Sequence, residues 1–186
     1  ETRVIKKVFV FKGRITMDSM QSTALMEKPE RETRPPIISF VGKSNSGKTT
    51  FLEKLIPEMK RRGVRVGVVK HDAHSFEIDH PGKDSYRLKH AGTDVMLISS
   101  SSKIAMVRDS TEDTPLAALC GEFMKDVDIV FSEGYKRENA HKIEISRREN
   151  TTETLCAADE CIAMVSDWNP PSSAPLFGLE DVSGVA

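Results

Sequence analysis

The sequence predicts an α/β fold in which a mostly parallel, twisted β-sheet is flanked by helices. Short apolar runs alternate with segments whose apolar residues recur at helical spacing. The apolar run at 37–41 leads directly into a glycine-containing phosphate-binding motif at 42–49. A polar stretch with prolines precedes this run, so we expect an N-terminal arm or linker at 1–36 and a nucleotide-binding domain at 37–186.

The composition excludes several classes of protein. The chain has 186 residues, 38% of them hydrophobic, which suits one domain with a proper core. Its 27 basic and 28 acidic residues nearly cancel, which argues against a dedicated nucleic-acid binder. No apolar run has the length of a membrane span. Three cysteines without close spacing argue against a disulfide framework or zinc ribbon, so we expect buried free thiols and a cytoplasmic location.

The first predicted elements surround the phosphate-binding motif. The run at 37–41 is typical of a buried parallel strand. A helix is expected over 48–62, because its apolar residues lie three and four positions apart. Pro57 is expected to bend this helix and Gly63 to end it.

The remaining elements follow from apolar runs and turn residues. The strand at 142–146 alternates apolar and polar residues, which predicts an exposed face or an edge strand. The strands at 94–99 and 103–108 are separated by a short serine-rich turn, which predicts an antiparallel extension. Pro115 is expected at the first position of a helix. The other predicted elements are strands at 7–11, 64–70, 127–132 and 162–166, helices at 84–91 and 116–124, and a short helix within 179–186.

The eight residues GKSNSGKT, from Gly42 to Thr49, match the P-loop pattern G-x-x-x-x-G-K-[ST]. The glycines permit backbone torsions that let successive N–H groups converge on a phosphate. Lys48 would reach the β- and γ-phosphates, and the Thr49 hydroxyl would ligate Mg²⁺. The helix that follows directs its positive N-terminal end at the same anion. The predicted nucleotide-binding residues of the loop are Gly42, Ser44, Asn45, Ser46, Gly47, Lys48, Thr49 and Thr50.

A carboxylate that can orient the metal follows the strand at 127–132. The run IVFSEG places Glu133 after mostly apolar residues, as in a Walker-B motif with Glu replacing Asp. Ligands gather at the carboxyl ends of parallel strands. We therefore predict Glu133 as a metal ligand and catalytic residue. The alternative is an ordinary solvated glutamate at a strand end.

A second polar cluster follows the strand at 64–70. Three histidines and three acidic residues lie between Lys70 and His80, and this composition could indicate a transition-metal site. Phosphate and Mg²⁺ contacts from Lys70 and Asp72 are the preferred interpretation, with Asp72 orienting the attacking water. A histidine of the cluster, such as His71, could carry a proton near neutral pH. The alternative is a polar loop capped by its own side chains.

Further candidate residues lie outside these clusters. Asp84 or the serine after it would cap a helix, and Lys83 would approach the nucleotide or a second anionic ligand. Lys136 and its arginine neighbour would add positive charge at the same edge, unless they form a solvated face. Asp167 follows the strand at 162–166, where a carboxylate could accept hydrogen bonds from guanine N1 and N2.

Four blocks of sequence taken together resemble the molybdopterin-guanine dinucleotide biosynthesis protein B (MobB) family. They are GKSNSGKTTFLEKLIPEMKRRG, VKHDAHSFEIDHPGKDSYRLKHAG, FSEGYKRENAHKIEISR and a C-terminal block with AMVSD and PLFGLEDV. The resemblance runs from about 37 to 186, and the second block is far more specific than the P-loop.

The resemblance implies a P-loop NTPase fold of the deviant GTPase class and a homodimer. It also implies GTP binding with slow, Mg²⁺-dependent hydrolysis, and an accessory role that assists the guanylyltransferase joining a guanine nucleotide to molybdopterin. The phosphate loop carries over as Gly42 to Thr50 and the metal-side acid as Glu133. The groups at 70–72 and 82–85 carry over as residues at the edge of the site. No N-K-x-D guanine motif is present, so guanine preference rests on the resemblance.

Two other functions are compatible with the same motifs. A small-molecule kinase or ATP-dependent ligase would use the histidine-rich loop to hold an acceptor and would turn over rapidly with the right metabolite. A non-catalytic adaptor would bind nucleotide only to stabilise a dimer, and its turnover would be indistinguishable from buffer. Weak hydrolysis is expected in the leading hypothesis, because no catalytic glutamine or arginine finger can be assigned.

Overall fold

The computed structural model describes residues 34–186 apart from 73–75, 136–137 and 139–140. The predicted arm and the predicted strand at 7–11 therefore lie almost wholly outside the described residues. In chain order the described elements are β1 Ile37–Val41, α1 Lys48–Arg61, β2 Val66–Lys70, α2 Asp84–His90, β3 Val95–Ser99, β4 Ile104–Arg108, α3 Leu116–Phe123, β5 Ile129–Glu133, β6 His141–Ser146, β7 Cys161–Ser166, β8 Leu176–Phe177 and α4 Val182–Val185.

Six strands form one parallel sheet in the order β2-β5-β1-β6-β7-β8, which confirms the predicted α/β fold. The central strand β1 pairs with β5 on one side and β6 on the other. Phe40 is in register with Glu133 of β5 and with Ile143 of β6. The carboxyl ends of these three strands therefore meet at one edge of the sheet, where loops can form a common site.

The main core lies between α1 and one face of the sheet. Phe51 and Leu55 of α1 are almost fully buried, as their spacing predicts, and they belong to one cluster with Phe40 and Phe131. The rings of Phe40 and Phe131 meet edge to face at 5.2 Å between centroids. Truncating a buried phenylalanine of this kind typically costs about 3–5 kcal/mol. This packing holds the first turn of α1 beside the phosphate-binding loop.

A second cluster covers the opposite face of the sheet. Leu116 and Cys120 of α3 pack against Val130, whose side chain points away from that of its neighbour Phe131. Helices therefore cover both faces, as predicted. Pro115 is the residue before the helix and not its first position, because its ψ of 138° is extended rather than helical.

Helix α1 continues through Pro57 to Arg61, and Gly63 follows with a φ of +80°. Burial of Leu55 and Met59 on either side stabilises the turns that the missing proline N–H weakens.

The prediction that the segment 142–146 is an exposed or edge strand is wrong. Strand β6 lies between β1 and β7, and its residues from Lys142 to Ser146 are buried. Lys142 is 4% exposed and pairs with Glu160 at 2.6 Å. The carboxylate of Glu144 accepts the N–H groups of Leu155 and Cys156 at 2.9 Å. These partners make burial of the charged side chains possible, and they come from the segment that connects β6 to β7.

The predicted antiparallel extension is present as a separate two-stranded sheet. In it β3 pairs with β4 from Val95 opposite Arg108 to Ser99 opposite Ile104. Most of its large apolar side chains are exposed, including Leu97 at 57% and Ile104 at 68%. The protein therefore presents an apolar surface on this hairpin.

Other differences are local. Lys83 precedes α2 in an extended conformation, and neither Asp84 nor Ser85 caps that helix with its side chain. The two-residue strand β8 was not predicted, since it is too short for a periodicity. All three cysteines are free, but only Cys120 is fully buried. Within the described residues, no helix has the length and apolar composition needed to cross a membrane.

Candidate functional site

The phosphate-binding loop joins β1 to α1 in a tight path. Gly47 immediately precedes α1 with a φ of +91°, and Asn45 has a φ of 62°. Both values lie in the left-handed region, which glycine adopts most easily and asparagine tolerates. A Cβ at Gly42 would overlap with the carbonyl oxygen of Ile145 and with the Ser46 hydroxyl. The glycines of the motif are therefore required by close approach and by backbone torsion.

Lys48 folds back over this loop. Its ammonium donates hydrogen bonds to the carbonyl oxygens of Gly42 at 3.2 Å and Lys43 at 2.9 Å. The Ser46 hydroxyl is buried, and within the described part of the chain it has no hydrogen-bond partner. Buried polar groups are normally paired, so an orphaned hydroxyl inside the loop favours a site that is completed by a polar ligand.

Thr49 and Glu133 meet at the mouth of the loop. The Thr49 hydroxyl donates to the two carboxylate oxygens of Glu133, at 3.1 and 3.2 Å. Thr49 is exposed and Glu133 half-buried, and both supply hard oxygen atoms of the kind that Mg²⁺ prefers. Among the described residues there is no group of three or more histidine, cysteine or acidic side chains arranged to hold a metal ion.

Two cavities adjoin the loop and share Ser44, Lys48 and Glu133. The smaller, of about 410 Å³, follows the loop and is otherwise lined by Asn45, Gly47, Thr49 and Thr50. The larger, of about 710 Å³, extends from Gly42 to His71, Asp113, Thr114, Pro115, Gly134, Tyr135 and Glu138. The predicted P-loop residues other than Ser46 thus line two adjacent cavities together with His71 and Glu133.

The far wall of the larger cavity contains residues that the motifs did not predict. His71 Nε2 lies 3.3 Å from Asp113 Oδ1, and the rings of His71 and Tyr135 are 4.9 Å apart between centroids. The backbone N–H of His71 donates to the backbone carbonyl of Glu133 at 2.8 Å, which joins the ends of β2 and β5. Burial, and then the charges of Asp113 and Glu138, raise the pKa of the Tyr135 phenol.

Asp113 lies in none of the motifs, and no role was predicted for Tyr135. The folded chain brings both to the same cavity. Tyr135 directly follows the Walker-B-like run and lies in one of the four family blocks, so its position was the one sequence signal for this wall.

The other predicted residues that the structure describes line neither cavity. Lys70 ends β2 opposite Glu133, and Asp72 follows His71 on an exposed loop. Lys83 and Asp84 are exposed at the start of α2. The roles of these four residues stay predictions. Lys136 lies outside the described residues.

Asp167 directly follows β7, at the same edge of the sheet. Its Oδ1 accepts the backbone N–H of Arg148 at 2.8 Å. One carboxylate oxygen therefore holds the turn after β6, and a contact with guanine stays a prediction.

Comparison with known proteins identifies a family. Residues 37–167 match the family model described as molybdopterin guanine dinucleotide synthesis protein B. The chain is 38% identical over 136 residues to the molybdopterin-guanine dinucleotide biosynthesis adapter protein of Haemophilus influenzae, covering 73% of this chain and 76% of that protein. It is 34% identical over 160 residues to the adapter protein of the same name from Escherichia coli, covering 83% and 91%.

Solved structures are similar as well. A crystal structure of molybdopterin-guanine biosynthesis protein B aligns with a TM-score of 0.64 and 27% identity, over 80% of this chain and 94% of that one. The crystal structure of Bacillus subtilis MobB aligns with a TM-score of 0.64 and 26% identity, over 81% and 95%. The mostly parallel sheet and its flanking helices are therefore shared with these proteins.

Proposed function

Because this chain belongs to the MobB family, we propose that it is a nucleotide-binding accessory protein of molybdenum cofactor maturation. Its role is to bind GTP with Mg²⁺ and to assist the guanylyltransferase that attaches a guanine nucleotide to molybdopterin. The observation that carries the proposal is the complete P-loop, in which Lys48 covers the loop and Thr49 meets Glu133. Relatives named as adapter proteins support the accessory role.

The chain's own residues bind the phosphates. Backbone N–H groups of the loop and the N-terminus of α1 face the anion, and the Lys48 ammonium would move from two carbonyl oxygens to phosphate oxygens. The exchange is favourable, because a hydrogen bond between an ammonium and an anionic oxygen is stronger than one to a neutral carbonyl. The orphaned Ser46 hydroxyl gives the loop one further polar group.

The pair formed by Thr49 and Glu133 fits Mg²⁺. A hydroxyl and a carboxylate on neighbouring elements supply one neutral and one charged oxygen, and the nucleotide phosphates would supply others. Bound Mg²⁺ would neutralise charge on the phosphates.

Hydrolysis is proposed to be slow, with Asp72 as the residue that orients water. Among the described residues lining the two cavities, Lys48 is the only lysine or arginine. An arginine finger typically contributes about 10³–10⁵ in rate, so a site without one would hydrolyse GTP weakly. Lys70, Lys83 and Lys136 are proposed to receive the pterin phosphate or the partner enzyme.

A homodimer in the cytoplasm is part of the proposal. The exposed apolar side chains of β3 and β4 support self-association, because burying them in a second copy would remove this apolar surface from water.

Isothermal titration with GTP, GDP and ATP in the presence of Mg²⁺ tests the nucleotide site. We expect GTP and GDP to bind more tightly than ATP, and Lys48→Ala to weaken GTP binding by about 10- to 100-fold. Lys54→Ala is the matched control, because Lys54 lies on the same helix and pairs with Glu180 at the surface. Equal or tighter ATP binding would overturn the guanine assignment. Full affinity in Lys48→Ala would overturn the site.

A pull-down from the native cytoplasm, with and without GTP, tests the accessory role. Recovery of a molybdenum-cofactor nucleotidyltransferase is the expected result.

The larger cavity favours one alternative, a small-molecule kinase, because it continues beyond the loop to His71 and Asp113. Rapid metabolite-dependent ATP turnover without a protein partner would establish that alternative.

A further inference from the structure

The turn after β6 contacts the middle of the phosphate-binding loop. Arg147 Nε donates to the carbonyl oxygen of Ser46 at 3.3 Å, and Asn150 Nδ2 donates to that of Asn45 at 2.9 Å. Each contact joins residues more than a hundred positions apart. The ends of the loop are continuous with β1 and α1, whereas its middle depends on such contacts.

We infer that Arg147 and Asn150 are positioning residues for nucleotide binding, which hold the phosphate-binding loop in its anion-binding conformation from outside. The inference rests on the proposed function, because it concerns the same loop.

A hydrogen bond to a carbonyl on one side of the loop also orients the N–H on the other side, because the peptide bond is planar. In a trans peptide the C=O and the following N–H point in opposite directions. Arg147 holds the Ser46 carbonyl toward the turn, so the Gly47 N–H points the other way. Gly47 lines the smaller cavity, where its N–H can meet a phosphate. Arg147 thereby orients an amide without touching the ligand.

Asn150 acts on the neighbouring peptide in the same way. Its amide holds the Asn45 carbonyl, and the Ser46 N–H on the opposite side of that peptide donates to Lys43 O at 3.2 Å. This bond closes the turn at the tip of the loop. Asn45 has a φ of 62°, a left-handed conformation that asparagine tolerates, and the contact from Asn150 holds the adjoining carbonyl in place.

The turn is itself held by its own hydrogen bonds and by one to the residue that follows β7. The N–H groups of Asn150 and Thr151 donate to the Arg147 carbonyl at 2.9 and 3.1 Å, and the Arg148 N–H donates to Asp167 at the end of β7. The phosphate-binding loop is therefore supported by both β6 and β7. The Arg147 guanidinium also lies about 3.4 Å from where a Cβ on Gly47 would be, which brings positive charge close to the loop.

Arg147→Ala and Asn150→Ala test the inference by titration with GTP, GDP and GMP. The P-loop amides cradle the phosphates, so we expect Arg147→Ala to weaken GTP and GDP binding about tenfold each. The affinity for GMP, which lacks the β-phosphate, should fall by a smaller factor. Arg147→Lys should recover part of the affinity, because a lysine ammonium can also donate a hydrogen bond to the Ser46 carbonyl. Arg148→Ala is the matched control, because it removes the same charge one position away. The hydrogen bond from Arg148 to Asp167 uses the backbone N–H, so this substitution leaves it in place.

Melting temperatures of the nucleotide-free variants separate positioning from general stability. A lower melting temperature with unchanged GTP and GDP affinity would overturn the inference. An equal loss of nucleotide affinity in Arg148→Ala, or an equal loss of affinity for GTP, GDP and GMP, would also overturn it. If Arg147→Ala fails to fold, Arg147→Lys and Asn150→Ala carry the same test. Failure of the wild type to bind any nucleotide would overturn the proposed function. Tighter binding of ATP than of GTP would overturn only the guanine assignment. In that case the inference about Arg147 and Asn150 is tested by repeating the titrations with ATP and ADP.

Discussion

The Thr49 hydroxyl donates to both carboxylate oxygens of Glu133, at 3.1 and 3.2 Å, and so connects the first turn of α1 to the end of β5. The two residues are 84 positions apart, yet each lies on an element that packs into the same core. Their separation is therefore set by this core, and the proposed magnesium site would use two oxygen-bearing side chains that the fold already holds together.

Glu133→Gln should remove the magnesium dependence of nucleotide binding. The amide keeps the shape of the side chain but loses the negative charge, so we expect the gain in GTP affinity on adding Mg²⁺ to fall about tenfold, with affinity in EDTA nearly unchanged. Titrations with and without Mg²⁺ measure this difference. Glu138→Gln is a suitable control, because Glu138 lines the larger cavity and its carboxylate accepts the Leu116 N–H. A magnesium effect of wild-type size in Glu133→Gln would contradict the assignment.

Gly42→Ala should destabilise the folded protein. The added methyl group overlaps with the Ile145 carbonyl, a backbone atom that cannot rotate away. We expect a loss of more than about 1 kcal/mol in the free energy of unfolding, together with weaker GTP binding. Urea denaturation measures the change. Gly178→Ala should be close to neutral, since nothing lies within 4 Å of a Cβ built there. Equal stability of the two variants would show that the loop relaxes to admit a side chain.

Ile104→Glu should disrupt the proposed homodimer. Ile104 is 68% exposed on β4, and a charge at this position would oppose burial against a second copy. Sedimentation velocity should show a dimer for the wild type and a monomer for the variant, with an unchanged far-UV spectrum. Leu176→Glu introduces the same charge at an exposed position of β8 and should remain dimeric. A dimeric Ile104→Glu protein would exclude this hairpin as the interface.

The thiol of Cys161 should be the most reactive in the protein. A hydrogen bond from Cys156 lowers the pKa of Cys161 to about 7, and the same interaction together with burial raises the pKa of Cys156. Because the thiolate is the reactive form, alkylation of Cys161 by iodoacetamide should rise with pH, with a midpoint near 7, and then level off.

Cys156→Ala removes the donor and should shift that midpoint to higher pH, toward the ordinary range of cysteine. Cys120→Ala should leave it unchanged, because Cys120 is buried on the opposite face of the sheet with its own pKa raised by burial. Mass spectrometry of the alkylated peptides across pH gives both midpoints. A midpoint that does not move in Cys156→Ala would refute the hydrogen bond as the cause.

Local patterns predicted most of the fold. The structure confirms the strands predicted from the apolar runs at β1, β2, β5 and β7 and the helix predicted from the spacing in α1. These patterns depend only on residues near one another in sequence, and burial of the apolar residues stabilises the elements directly. The position of β6 was not predictable in this way. Its apolar and polar residues do alternate, but Lys142 is buried in an ion pair with Glu160, and Glu144 is buried with hydrogen bonds from two backbone N–H groups.

The sequence by itself determined the phosphate-binding loop, the acidic residue that faces it and the family, because these depend on residue types at short, fixed spacings. Only the tertiary structure decided which distant residues surround that loop. Asp113 and Tyr135 enter the larger cavity from separate segments, and Arg147 and Asn150 support the loop from the end of β6. The physical reason is that a loop's backbone groups need partners wherever the fold supplies them, and the order of strands in the sheet sets which segments lie within hydrogen-bonding distance.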